Sequence, residues 1–175
     1  MSPSIQQSPM DMMRIFRHLM TGQSTVKQTF PPATLTVIEQ AIAQSETTHA
    51  GEIVFAVEAS LDLSRLIKNQ SVRDRAIDVF SLLRVWDTEY NNGMLIYVLL
   101  ADHNIEIVAD RGIHTKVDPA TWEAICHTMK NAFSHKQFEQ GVLAGIEQLT
   151  QILQEHFPAV ADKKENTLPD KPVVL

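Results

Sequence analysis

Asp87, Glu89, Asn91, Asn92 and Asp110 are the residues whose types and spacing point most directly to chemistry. The first four lie in a polar loop ahead of an apolar run, Gly93 to Leu100, and Asp110 ends the alternating run Ile105 to Ala109. If the two runs form an antiparallel hairpin, the start of one lies beside the end of the other. The carboxylates and amides then gather at one edge of a sheet. Oxygen ligands of this kind suit calcium or magnesium, which makes Asp87, Glu89, Asn92 and Asp110 the candidate metal ligands. Arg111 is the candidate clamp for an anion such as phosphate, and His114 a candidate acid, base or ligand beside it. His49 and Glu52, which flank an earlier strand, can join the cluster, whereas His103 belongs to the opposite end of the hairpin.

A plainer reading stands next to this one. Loops carry acidic residues because they are solvated, and Asn-Gly serves turn geometry. Arg111 then holds the loop by pairing with Asp110, Glu106 or Asp87, and His114 is exposed. Trp86 reads as an anchor that packs the loop on a helix, and Trp122 as core. Cys126, in mid-helix beside Ile125, reads as a small buried hydrophobe. The chain has no G-x-S-x-G, G-x-x-x-x-G-K-[ST], G-x-G-x-x-G or H-E-x-x-H, so nucleotide binding and the common hydrolase mechanisms lose their main supports.

The elements that must position these residues follow from composition and periodicity. At 175 residues and 44% apolar content, one domain with a proper core is expected. A net charge of -6 argues against a nucleic-acid surface, and one cysteine excludes a disulfide framework or a multi-cysteine zinc site. The first twenty residues have no continuous apolar signal region. The longest uncharged apolar run, Met94 to Ala101, is far short of the ~20 residues that cross a bilayer. A cytoplasmic protein without a transmembrane segment is expected.

Residues 1–29 read as a flexible arm, with disorder over 1–8 and a short amphipathic helix from Met10 to Met20. That helix is either docked on the domain or in weak contact with a membrane surface. Pro31-Pro32 opens a helix with Leu35, Ile38, Ile42 and Ser45 on one face. Glu52 to Ala59 reads as a strand with a half-polar face. Ser71 caps a helix with Val72, Ala76, Val79, Phe80 and Leu83 inward. After the hairpin, Asp118-Pro119 starts a helix lined by Trp122, Ile125, Met129 and Phe133, and a last helix runs from Phe138 to His156. Residues 159–175 read as a disordered tail. The all-apolar strand needs cover on both sides. The expected fold is therefore α/β, a three-layer α/β/α sandwich around a small mixed sheet with a central antiparallel hairpin.

The order and spacing of several features resemble the TPM domain family over roughly residues 30–158. They are Gly51-Glu52-Ile53-Val54, Trp86 before a polar loop, Asn92-Gly93 leading an apolar strand, and Ile105-Glu106-Ile107-Val108 ending in Gly112. Trp122, Phe133, Phe138-Glu139-Gln140-Gly141-Val142-Leu143 and Leu149 complete the pattern. The resemblance implies the same sandwich. It also implies either an interaction and assembly module, with a protein partner that is often envelope-associated and a divalent cation such as calcium or magnesium, or a weak metal-dependent acid phosphatase. The family's Asp-Asn-Gly is here Asn91-Asn92-Gly93, and its Gly-Tyr-Gly is Asp110-Arg111-Gly112. The glycine-rich loop usual after the tryptophan is Asp87-Thr88-Glu89-Tyr90. These departures fall in the loops where the metal or phosphate would sit.

Overall fold

Gly93–Leu99 contains no charged side chain and forms a strand, β2, in which every residue is buried. Such a strand is stable only between two apolar layers. In the computed structural model, which describes residues 11–159 and 168–175, helices supply both. The disorder expected for residues 1–8 lies outside the described residues.

The elements run α1 (Met12–Met20), α2 (Gln23–Thr29), α3 (Pro32–Glu46), β1 (Glu52–Glu58), α4 (Leu63–Ile67), α5 (Val72–Leu82), β2 and β3 (Asn104–Ala109). There follow α6 (Arg111–His114), α7 (Pro119–Ser134), α8 (Phe138–His156) and β4 (Val173–Val174). The strand order is β3-β2-β1-β4. β1 and β2 are parallel, in register from Glu52↔Gly93 to Glu58↔Leu99. β2 and β3 are antiparallel, from Met94↔Ala109 to Leu99↔Asn104. This is the three-layer sandwich around a small mixed sheet that the periodicity implies, but the hairpin forms one side of the sheet, with β3 at its edge, rather than the centre.

One core lies between the sheet and α3, α7 and α8, where Ile38, Ile42, Ile53, Ile96, Met129 and Leu149 meet. The other lies under α4 and α5, where Leu66, Ala76, Val79, Leu95 and Tyr97 meet. Local signals place the covering helices. Pro32 and Pro119 sit in first turns, the Asp118 carboxylate accepts from Ala120 N–H, and the Ser71 side chain accepts from Asp74 N–H.

β1 departs from the half-polar strand expected of it, since all seven residues are buried. Ile53, Phe55 and Val57 enter one core, Val54 and Ala56 the other. Its terminal Glu58 is satisfied inside: Arg75 Nε and Nη2 donate to the two carboxylate oxygens at 2.8 and 2.9 Å, and the Tyr97 hydroxyl donates at 2.6 Å. Burial, reinforced by the Glu58 charge, pushes the Tyr97 hydroxyl's pKa upward.

Both ends of the chain contain regular structure, and the first helix is docked on the domain, one of its two expected placements. The arm contains two helices, and α1 is fastened to the β2–β3 turn. Arg14 Nη2 donates to Asp102 at 2.8 Å and to Gln70 O at 2.9 Å, and Arg17 reaches the same carboxylate at 3.3 Å. His18 is buried; its Nδ1 accepts from Leu61 N–H at 2.9 Å, so Nε2 carries the ring hydrogen and faces Asp102 at 3.1 Å. Burial works to raise the Asp102 pKa, but the bonds from Arg14 and His18 outweigh it and hold it low. In the tail, read as disordered, Leu168 is buried and Val173–Val174 pair parallel to β1 at Ala56 and Val57. β-branched residues at the open side of β1 complete the sheet there.

Side chains guard the open edge of β3. Asn104 Oδ1 accepts from Ile105 N–H at 2.9 Å, and Arg73 Nη1 donates to Ile107 O at 2.5 Å. An edge occupied in this way resists pairing with another strand.

Truncating Arg75 to Ala leaves Glu58 charged and buried, so Arg75→Ala is expected to cost ~3–5 kcal/mol in urea unfolding. Tyr97→Phe, which removes one hydrogen bond, is expected to cost ~1–2 kcal/mol by the same measurement.

Candidate functional site

At the end of the sheet where β1 and β2 begin and β3 finishes, the backbone is tightly drawn together. Asn92 is buried; its N–H donates to Thr88 Oγ1 at 3.0 Å, and its Nδ2 donates to Ala50 O at 3.1 Å, tying the loop to the entry of β1. Asp110 N–H donates to Gly93 O at 2.9 Å, and Gly112 N–H donates to Asn91 O at 2.8 Å. Asn91 takes φ 51°, a left-handed conformation that asparagine tolerates. A Cβ on Gly93 would overlap the Val85 carbonyl, and one on Gly112 the Tyr90 and Asn91 carbonyls. Glycine is required at both positions by close approach.

This arrangement leaves two buried side-chain oxygens without a hydrogen-bond partner, Asn92 Oδ1 and Asp110 Oδ2. The other Asp110 oxygen accepts from Arg111 N–H at 2.7 Å and caps α6. Both residues flank the Asp110 N–H to Gly93 O bond. Buried acceptors lacking a donor carry a desolvation cost, which a cation or a bound water removes.

The remaining expected site residues are dispersed. Asp87 is exposed and accepts from Arg84 Nη2 at 2.7 Å, and Glu89 is exposed farther along the loop. Among the described residues, no group of three or more His, Cys, Asp or Glu is arranged to hold a metal ion. Arg111 does not take the carboxylate partners expected of it; its Nε donates to Asn91 Oδ1 at 3.3 Å. His114 is exposed and lines a groove of about 520 Å³ between β3 and α7, together with Glu123 and His127. Trp86 is not a buried anchor. It is 47% exposed beneath the Arg84 guanidinium, 5.8 Å from the ring centroid, and the neighbouring Val85 is the residue that packs inside. Trp122 is core, and burial pushes the Cys126 thiol up to about 11, far from a reactive thiolate.

His49 is fully buried, with Nδ1 3.0 Å from Gly51 O, and Glu52 is buried in register with Gly93. The residue that sequence reading passed over is Glu46. It lies four positions beyond Ile42, on the inward stripe of α3, which was the available signal. β4 does not extend to Ile53, and there Glu46 Oε1 accepts the Ile53 N–H at 2.9 Å in place of a strand partner. Burial first, opposed by that bond, and then the charges of Glu52 and Asp170 raise the Glu46 pKa to about 8.

The sequence model of the TPM domain family matches residues 25–152. Among solved structures, the NMR structure of BA42 protein from the psychrophilic bacterium Bizionia argentinensis is similar, with 29% identity and a TM-score of 0.75. The likeness covers 87% of this chain and 99% of that one. A comparison with curated proteins returns no match.

Glu46 gives stability a definite pH dependence. Its folded pKa, about 8, lies above its ordinary 4.5, so the folded chain holds a proton there that the unfolded chain loses. The contribution is whole below the ordinary value and falls as pH rises from there toward 8. Urea unfolding across that range is expected to show this decline, and Glu46→Gln, which keeps the acceptor and cannot ionise, to flatten it. Gly112→Ala is expected to cost ~1–3 kcal/mol in the same assay, because the loop carbonyls must move.

Proposed function

The chain belongs to the TPM domain family, and on that premise we propose that it is a binding and assembly module which holds a divalent cation, calcium or magnesium, where β1 and β2 begin. The observation that carries this reading is the pair of buried oxygens, Asn92 Oδ1 and Asp110 Oδ2, that lack a hydrogen-bond partner. Hard oxygen donors of this type fit either ion, and with two side-chain ligands the rest of the shell falls to water and backbone carbonyls. Asp87 and Glu89, exposed on the same loop, give the approach a negative charge without entering the site. The cation would brace the loop Asn91–Gly93 against Asp110–Gly112 and so fix the surface offered to a protein partner, envelope-associated by the family's habit. Arg111, held by Asn91 rather than by an acid, would face a partner's carboxylate or phosphate. The phosphatase alternative would use the same cation with Arg111 on the phosphate; His114, in the β3–α7 groove, has no part in it.

Thermal unfolding in EDTA and then with calcium, magnesium or zinc tests the reading. A cation at 100 times its Kd is expected to add ~2.7 kcal/mol of stability, and Asp110→Asn to remove most of that gain. No shift with any of the ions, or an undiminished shift in Asp110→Asn, overturns the site. Release of phosphate from an aryl phosphate that needs the cation and is lost in Asp110→Asn would make the protein the phosphatase instead.

A further inference from the structure

α1 presents its apolar side to solvent. Met12, Met13, Phe16, Leu19 and Met20 are 60–70% exposed, while the side chains of Arg14 and His18 are 14% and 0% exposed. An amphipathic helix on a domain ordinarily has the reverse orientation. Here the inversion is held in place, because the polar side of the helix binds Asp102, Gln70 O and Leu61 N–H. Five large apolar residues exposed together on one helix mark an interaction site.

The pattern within the helix identifies what covers it. The exposed apolar residues fall at three and four positions on either side of Phe16, in the order Met-Met-x-x-Phe-x-x-Leu-Met. That order reads nearly the same in both directions. A second α1, antiparallel and related by a twofold axis at Phe16, would set Met12 and Met13 against Met20 and Leu19 and bring Phe16 against its own copy. We propose that α1 is the centre of a twofold-symmetric interface between two copies of this chain. Closed twofold dimers need such a self-complementary patch. The five α1 residues expose on the order of 600 Å², the larger part of the ~800 Å² per partner of a standard interface. Methionine side chains adapt to each other's shape as well as to phenylalanine. A lipid surface fits less well, since both arginines of the helix bind Asp102 and the chain carries a net charge of -6.

Sedimentation equilibrium of the full chain tests the proposal. The wild type is expected to be dimeric at micromolar concentration. Phe16→Glu, at an exposed position, is expected to keep the wild-type circular dichroism spectrum and raise the dimer dissociation constant at least ~100-fold. Phe16→Cys under mild oxidation is expected to link two copies through residue 16, whereas Leu82→Cys, comparably exposed on α5, is expected to remain unlinked. A wild type that stays monomeric, or a Phe16→Glu variant that dimerises as well as the wild type, overturns the interface. So does a monomer that sediments with vesicles of phosphatidylethanolamine and phosphatidylglycerol through Phe16, which would assign the helix to a membrane surface.

Discussion

Every larger feature of this protein depends on burying both faces of β2. A seven-residue strand with no charged side chain and every residue apolar but for one tyrosine hydroxyl cannot lie on a surface, so it requires a helical layer on each side and a neighbour on each edge. β3 meets one edge through a short turn, and β1 the other in parallel, joined by the crossover through α4 and α5. The parallel pairing then buries β1 as completely as β2. Carboxylates at the two ends of β1 are carried inside with it, and each needs a partner from elsewhere in the chain.

The two ends of the sheet meet that requirement differently. Where β1 and β2 finish, charge is matched by charge, Glu58 by Arg75 and Asp102 by Arg14 and Arg17, with the neutral Tyr97 hydroxyl and His18 ring beside them. Little is left to bind a ligand there, and the same contacts turn the apolar side of α1 outward. Where the strands begin, the chain is held by backbone approach at Gly93 and Gly112 and by neutral groups such as the Asn92 amide. Backbone packing leaves Asn92 Oδ1 and Asp110 Oδ2 without donors. The difference between the ends directs the functional reading to the second.

Much of this was legible along the chain, because the helices that cover the sheet have regular periods and capping residues. α3, α7 and α8 follow from apolar spacing with Pro32, Asp118 and Pro119, and the hairpin from a continuous run beside an alternating one. What escaped depends on partners distant in sequence. The polar ends of β1 suggest a solvated face until Arg75 is known to bind Glu58 from 17 residues away. The spacing in α1 shows which residues share a face, but Asp102, 88 residues from Arg14, decides which face turns inward. β4 consists of two residues whose pairing with β1 no local pattern announces. At the candidate site, the hairpin geometry correctly brings Asn92 and Asp110 to one end. Asp87 was drawn off by Arg84, three residues before it, a local contact that competes with any distant ion.

The central claim is that this end of the sheet holds a divalent cation between the loop before β2 and the residues after β3. Titration of the ¹⁵N-labelled protein with calcium and with magnesium, followed by amide chemical shifts, examines it residue by residue. The account predicts saturable shifts centred on Asn91–Gly93 and Asp110–Gly112, with the Asp102 end of the sheet unmoved. Saturable shifts confined to the acidic surface of Asp62, Asp74 and Asp78, or none at either site, would contradict it.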